Sequence, residues 1–113
     1  MKFRFRTVLQ EFEAHFHPVQ PGSNVRGKSE WKHYGDGAYR FKLTVRNLPL
    51  PDGAEIDLWR DGAWIMRLPV QNHKVKVDLE NEGGSGIPAI EAGQILQIRS
   101  GDTVLAEGKY QAE

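Results

Sequence analysis

Apolar and polar residues alternate along much of this chain, and the clearest alternation runs from Ala38 to Leu48. One side of this segment carries Tyr39, Phe41, Leu43 and Val45, and the other carries Arg40, Lys42, Thr44 and Arg46. Val75, Val77 and Leu79 alternate with polar residues in the same way. A period of two residues is typical of a β-strand with one buried face, and such one-sided strands favour antiparallel sheets with one face in water.

Turn-forming residues divide the chain into short segments, as at Asp36-Gly37, Asp61-Gly62 and Gly101-Asp102. Strands are predicted over 2–9, 11–16, 28–34, 38–48, 54–60, 63–70, 73–80, 94–100 and 103–110. Many short strands with this punctuation indicate one all-β domain over residues 1–113. The predicted architecture is an antiparallel β-sandwich of about seven to nine strands, with Greek-key or jelly-roll-like connections.

Three segments leave alternatives open or interrupt the strands. Residues 7–16 fit a strand, but Val8, Leu9, Phe12 and Phe16 also fit one face of a short helix. Residues 18–28 contain two Pro and two Gly, which indicates a loop. The stretches 49–62 and 88–102 share a Pro, a turn ending in Gly, a strand and a second tight turn. They are either two similar hairpins or common turn chemistry used twice.

Composition narrows the classes of partner and compartment. Lys plus Arg and Asp plus Glu number 15 each, so the formal net charge is zero. This argues against binding of nucleic acid or an anionic membrane and favours self-association. The chain has no Cys, which excludes disulfides, thiol catalysis and Cys-ligated zinc. Arginines interrupt residues 1–6, which do not resemble a signal peptide, and no apolar run is long enough to span a membrane. We therefore expect a cytoplasmic protein.

The Asp61-Gly62 pair predicts a tight two-residue hairpin turn that fixes the pairing of the flanking strands. Counting back from the turn, Arg60 faces Ala63, Trp59 faces Trp64, Leu58 faces Ile65, and Asp57 faces Met66. Leu58 and Ile65 share the core side with Ile56, so both tryptophans are predicted on the outer face. The candidate binding residues are Trp59, Trp64, Asp57, Met66 and Arg60.

Two adjacent tryptophans on the outside of a sheet favour a binding surface. The first hypothesis is a non-catalytic interaction module that forms a homodimer or binds another protein through this face. The second is a carbohydrate-binding module, in which Trp59 and Trp64 stack on sugar rings beside Asp57 and Arg60. The alternative to both is that another part of the chain covers the indoles.

Other chemistry has less support in the sequence. His15 and His17 project from one face of a strand and favour a metal site only where a third ligand converges. Candidates for that ligand are Glu11, Glu13, His33 and His73. The cations Arg40, Lys42, Arg46, Lys74 and Lys76 form one basic face if their strands are neighbours. No serine lies in a nucleophile motif, so we expect neither an enzyme nor a cofactor, and a metal-dependent enzyme is the least favoured reading.

Residues 27–110 also carry a pattern of turns and aromatic positions. It begins at Gly27 and alternates to Trp31, and a later strand ends in Asn47-Leu48-Pro49. Gly53 leads into the Asp61-Gly62 turn, and Leu105-Ala106-Glu107-Gly108-Lys109-Tyr110 closes the pattern. The stretch resembles a group of small bacterial all-β domains of unknown function. That resemblance implies a β-sandwich and no active-site residues, because the shared positions are turns and core residues.

Overall fold

A computed structural model describes residues 6–113, and in that range the chain forms nine β-strands and no helix. The strands are β1 (Val8–Pro18), β2 (Arg26–Tyr34), β3 (Ala38–Arg46), β4 (Glu55–Arg60), β5 (Ala63–Pro69), β6 (Val75–Glu82), β7 (Ile95–Ser100), β8 (Thr103–Lys109) and β9 (Gln111–Ala112). All pairings between them are antiparallel. The predicted all-β class is confirmed.

The N-terminal part of the fold differs from the sequence prediction. Residues 8–18 form one continuous strand, so the helical alternative for 7–16 is wrong. The predicted loop 18–28 is shorter, because β1 ends at Pro18 and β2 begins at Arg26. Half of the predicted strand 2–9, residues 2–5, lies outside the described residues, and residues 8–9 belong to β1. Within residues 6–113, no segment forms an apolar helix that could cross a bilayer.

The strands join into one nearly closed sheet in the order β5-β4-β7-β8-β1-β2-β3-β6, with β9 beside β1. The strand β1 connects the two halves of this sheet. It pairs with β2 as far as Phe16, and from His17 onward it pairs with β8 instead. The first half of the fold is therefore β1-β2-β3-β6, and the second half is β5-β4-β7-β8.

Two glycines permit this change of partner. At Gly108 on β8, an added Cβ would lie 2.5 Å from the His15 carbonyl oxygen. At Gly27 on β2, it would lie 2.9 Å from Val45 Cα and also collide with the Thr44 carbonyl oxygen. Glycine inside a strand is typical of a tight bend or a close backbone approach. Both sides of the bend in β1 thus require a residue without a side chain.

The inward residues of both halves form one buried cluster. Phe41, Leu43 and Val45 on β3 are fully buried, as the alternating pattern predicts, and so are Ile56 and Leu58 on β4. Their neighbours in the chain point to solvent or to the sheet surface. Burial of one face of each strand is the main force that curves the sheet around its core.

The two similar sequence stretches form two matching hairpins, β4–β5 and β7–β8. Gly53 and Gly93 both have φ of 88°, and each donates its N–H across the hairpin, to Val70 and Tyr110 respectively. Each hairpin also has an irregularity two residue pairs before its turn, after Leu58 in one and after Ile98 in the other. Leu58 and Ile98 pair with each other where β4 meets β7. The likeness therefore covers the start of each hairpin and its irregularity, whereas the turns differ, because Asp61 and Gly62 both have positive φ and in the second turn only Gly101 does.

The core contains one buried polar contact that links the two halves. Ser29 on β2 is fully buried, and its hydroxyl lies 2.6 Å from the Tyr110 hydroxyl and 3.1 Å from the Lys42 carbonyl oxygen. Because Ser29 uses its one hydrogen on the carbonyl, Tyr110 must donate to the Ser29 oxygen. Burial raises the pKa of Tyr110, so the phenol stays protonated and keeps its role as donor.

Removal of the Ser29 hydroxyl is expected to lower the free energy of unfolding more than removal of the Tyr110 hydroxyl. Ser29→Ala leaves the buried Tyr110 O–H without an acceptor and should lower the free energy of unfolding by about 1–3 kcal/mol. Tyr110→Phe removes the donor along with the bond and should cost about 1 kcal/mol. Urea unfolding of both variants and of the double variant measures these values. A double variant less stable than Ser29→Ala would contradict the assignment of the donor.

Candidate functional site

The turn between β4 and β5 has the geometry that the Asp61-Gly62 pair predicts. Both residues have positive φ, 46° at Asp61 and 81° at Gly62, as a type I′ turn requires. Trp59 therefore pairs with Trp64, as expected. The Asp61 carboxylate also accepts the backbone N–H of Ile95 at 2.8 Å, which ties the turn to the start of β7.

One step beyond the tryptophans the pairing departs from the prediction. Leu58 pairs with Met66 and Asp57 pairs with Arg67, because an extra residue on β5, Ile65, forms a β-bulge. The prediction that Met66 faces Asp57 on the outer surface is wrong. Met66 packs against the hydrophobic core beside Ile65, and the bulge places Arg67 opposite Asp57 instead.

Asp57 is the polar centre of the outer surface of β4 and β5. Its carboxylate accepts hydrogen bonds from Arg67 Nε and from Trp64 Nε1, both at 3.0 Å. These contacts, with Arg67 as the larger contribution, lower the pKa of Asp57. The Trp64 ring is held by its one polar atom, yet 54% of the residue remains exposed.

Trp59 is partly buried because a cation from the next strand lies on it. The Arg99 guanidinium carbon is 4.5 Å from the centre of the Trp59 ring, which is a cation–π contact. Arg99 is held in place by the Gln97 side-chain oxygen at 3.0 Å and 2.6 Å. Gln97 in turn donates to Glu107 on β8 at 3.1 Å. The polar network thus spans β4, β7 and β8.

Together Asp57, Trp59, Trp64, Arg67 and Arg99 form one continuous surface, which we name the indole face. The predicted site residue Arg60 does not belong to it. Arg60 lies at the end of β4, where its guanidinium donates to the Ala89 carbonyl oxygen in the segment before β7. It follows Trp59 in the strand and therefore projects from the opposite side of the sheet. The predicted place of Arg60 beside the tryptophans is wrong.

The outer surface of β1-β2-β3-β6 is charged rather than aromatic. The strands β3 and β6 are neighbours, as the predicted basic face requires. Carboxylates nevertheless lie among its cations. Arg40 makes two hydrogen bonds to Asp78, at 3.0 Å and 2.8 Å, and Lys28 lies within 3.1 Å of both Glu13 and Glu30.

His15 and His17 lie on this same charged surface, as a strand predicts. Two of the proposed third ligands lie elsewhere: His33 stacks on Tyr39 at 4.1 Å, and His73 lies against the Leu48 carbonyl oxygen. His15 is 3.2 Å from Glu13. Among residues 6–113 no group of three His, Asp or Glu side chains is arranged to hold a metal ion.

Comparison of the sequence with protein-family models and with curated proteins found no match. The indole face and its chemistry are therefore argued from the residues of this chain alone.

Sequence reasoning missed Arg67 and Arg99. Arg67 reaches Asp57 only because of the bulge at Ile65, and β-bulges have no reliable signal in a single sequence. Arg99 had a signal: it occupies in the second hairpin the position that Trp59 occupies in the first. This correspondence predicts a contact between Arg99 and Trp59 only if β4 is known to pair with β7, and those strands are distant in the chain.

The lowered pKa of Asp57 predicts how its contact with Trp64 depends on pH. The carboxylate is ionised and paired at neutral pH, and the pair is lost as the pH falls through the folded-state pKa. The Trp64 indole N–H resonance should therefore shift with a midpoint below the ordinary aspartate value of about 3.9. ¹H–¹⁵N NMR spectra recorded across an acid titration measure this midpoint, and Trp64→Phe identifies the resonance.

The matched variants for this titration are Asp57→Asn and Asp102→Asn. The first should lack the transition and lose less than about 1 kcal/mol of stability, since the ion pair is at the surface. Asp102 lies in the corresponding turn of the second hairpin, so Asp102→Asn should titrate like the wild type. A Trp64 midpoint at or above that of an ordinary aspartate would contradict the assigned contacts.

Proposed function

We propose that this protein is a non-catalytic interaction module that associates with a second copy of itself through the indole face. The observation that carries the proposal is Trp64, which remains 54% exposed while its N–H is already satisfied by Asp57. The exposed remainder of the ring is apolar. Contiguous exposed apolar surface marks contact sites, and Trp and Arg, which together make up most of this face, are enriched among the residues that dominate binding energy.

The side chains around Trp64 are held in place by their contacts with one another, and this also supports binding. Asp57 holds both Trp64 and Arg67, and Arg99 rests on Trp59. Side chains that are fixed before association lose little conformational entropy when a partner arrives, and preorganisation of this kind raises affinity. The face thus presents a rigid indole beside two guanidinium groups.

Self-association is favoured over a charged partner by two further features. The formal net charge is zero, so two copies do not repel each other strongly. The strand β5 that carries Trp64 stands at the end of the sheet order and, within residues 6–113, pairs with β4 alone. A symmetric pair of copies would bring the same surface of each together, and in that arrangement each Trp64 can lie on a guanidinium group of the partner.

Sedimentation velocity over a wide range of concentration tests this proposal. Wild type should show a reversible monomer–dimer equilibrium, and Trp64→Ser should weaken it by roughly 30-fold, equal to a loss of about 2 kcal/mol at a central Trp. Leu9→Ser is the matched control, because Leu9 is 57% exposed on the other half of the sheet. It should associate like the wild type. A wild type that stays monomeric at all concentrations would refute the proposal.

Carbohydrate binding is the second candidate, and the arrangement around Trp64 gives it specific support. An exposed indole next to the paired charges of Asp57 and Arg67 offers both a stacking surface and hydrogen-bonding groups. Neutral soluble polysaccharides should then shift the Trp emission of the wild type, and Trp64→Phe should keep more of the affinity than Trp64→Ser. Emission unchanged by every polysaccharide would eliminate this candidate and leave self-association unaffected.

A further inference from the structure

A second surface lies where β1 leaves β2. The two strands pair up to Phe16 and Gly27, and then β1 turns toward β8 while β2 continues to its start at Arg26. The strands diverge like a fork, and the space between them is a cleft of about 380 Å³. The polar walls of this cleft are His15, His17, Arg26, Lys28 and Arg46, and we name it the basic cleft.

Two cations of the basic cleft, Arg26 and Arg46, differ from the paired cations of the same surface, which include Lys28 of the cleft itself, between Glu13 and Glu30. Arg40 is paired with Asp78, and Lys32 lies between Glu11 and Glu30. In contrast, Arg26 and Arg46 pair directly with each other across β2 and β3. Among residues 6–113 no carboxylate lies within ion-pair distance of either guanidinium, and the one hydrogen bond from Arg26 goes to the adjacent Val25 carbonyl oxygen at 2.9 Å.

Two like charges directly opposite each other on neighbouring strands destabilise a sheet. Here the two exposed arginines line a concave space, and His15 and His17 add imidazole groups on the opposite wall. Guanidinium groups match the oxygens of phosphate and sulfate with two parallel hydrogen bonds each. An anion between Arg26 and Arg46 would convert the repulsion into two attractive contacts.

The floor of the cleft depends on Gly27. A Cβ at this position would collide with the β3 backbone and approach the Phe16 ring to 3.2 Å. That Cβ would point to the buried side of the sheet, where Phe16 and Val45 lie, so Gly27 shapes the floor by letting the strands approach each other closely. The space above it is lined by cations from two strands and by imidazoles from a third.

We propose that the basic cleft is a binding site for a phosphate or sulfate group, with Arg26 and Arg46 as the principal contacts. The site lies on the opposite half of the sheet from the indole face, so it stands independently of self-association through Trp64. The ligand is defined by its tetrahedral oxyanion, whether a free ion or an ester carried by a sugar.

Thermal unfolding and isothermal titration calorimetry with inorganic phosphate test the site, with sodium chloride added to keep the ionic strength constant. Phosphate should raise the Tm of the wild type above that in chloride, because a ligand of the folded state stabilises it. Arg26→Gln and Arg46→Gln should each weaken phosphate binding about tenfold or more, the loss expected for one charge-assisted contact. Without phosphate, each variant should be at least as stable as the wild type, because the repulsion is gone.

Two controls separate the site from general charge effects. Lys109→Gln removes one positive charge from an exposed position on β8 and should leave phosphate binding unchanged. Trp64→Ser should also bind phosphate like the wild type, whatever its oligomeric state. If phosphate acts no differently from chloride on the wild type, or if Lys109→Gln loses as much affinity as Arg26→Gln, the proposal is overturned.

The source of the anion is distinguished by comparing inorganic phosphate and sulfate with a sulfated oligosaccharide of defined length. Equal affinity per anionic group would assign the site to the free ion. An oligosaccharide that binds at least about tenfold more tightly, and loses this advantage in Arg46→Gln, would assign it to an ester on a sugar chain. Absence of binding by all three ligands refutes the site.

Discussion

The passage of β1 from one half of the sheet to the other is the constraint on which the rest of this structure depends. A strand that changes partner must bring its backbone close to the strands on both sides at the bend. Here the close approaches fall at Gly27 and Gly108, and neither position has room for a Cβ. Because β1 pairs with β2 before the bend and with β8 after it, one strand aligns both halves around a common core. The fork that holds the basic cleft is a direct consequence of the same bend.

The second half of the sheet shows how one backbone course can carry two different surfaces. The hairpins β4–β5 and β7–β8 share the hydrogen bond from a leading glycine and the irregularity before the turn, but the turns differ, since Asp61 and Gly62 both have positive φ and in the second turn only Gly101 does. Their outer residues also differ: Trp64 in the first corresponds to Val104 in the second, and Trp59 corresponds to Arg99. Because Leu58 pairs with its own counterpart Ile98, the two hairpins meet about a local two-fold axis. This places Arg99 beside Trp59 and creates the cation–π contact of the indole face.

The sequence allowed prediction of those features that depend on local pattern and turn chemistry. The alternation in β3 identified its buried residues, and the Asp61-Gly62 turn correctly paired Trp59 with Trp64. It did not place Met66, because a bulge changes which side that residue faces, and Arg60 was assigned to the site although strand alternation puts it on the side opposite Trp59. Nor did it reveal the basic cleft, since the meeting of Arg26 with Arg46 depends on strand order and on the divergence of β1 from β2. Self-association, sugar binding, bacterial origin and compartment stay predictions.

The indole face and the basic cleft differ in whether their charged side chains have partners within the protein. On the indole face each described ionic group has a partner of its own: Asp57 binds Arg67, and Arg99 has no carboxylate but lies on an indole and donates to Gln97. What such a face leaves for a partner is apolar ring surface, which suits another ordered protein surface or a sugar ring. In the basic cleft the opposite holds, since Arg26 and Arg46 face each other without a carboxylate among the described residues. A surface with satisfied charges gains most by burying area, whereas one with unbalanced charge gains most by acquiring a counter-ion. The same small sheet therefore offers two surfaces whose ligands differ in kind.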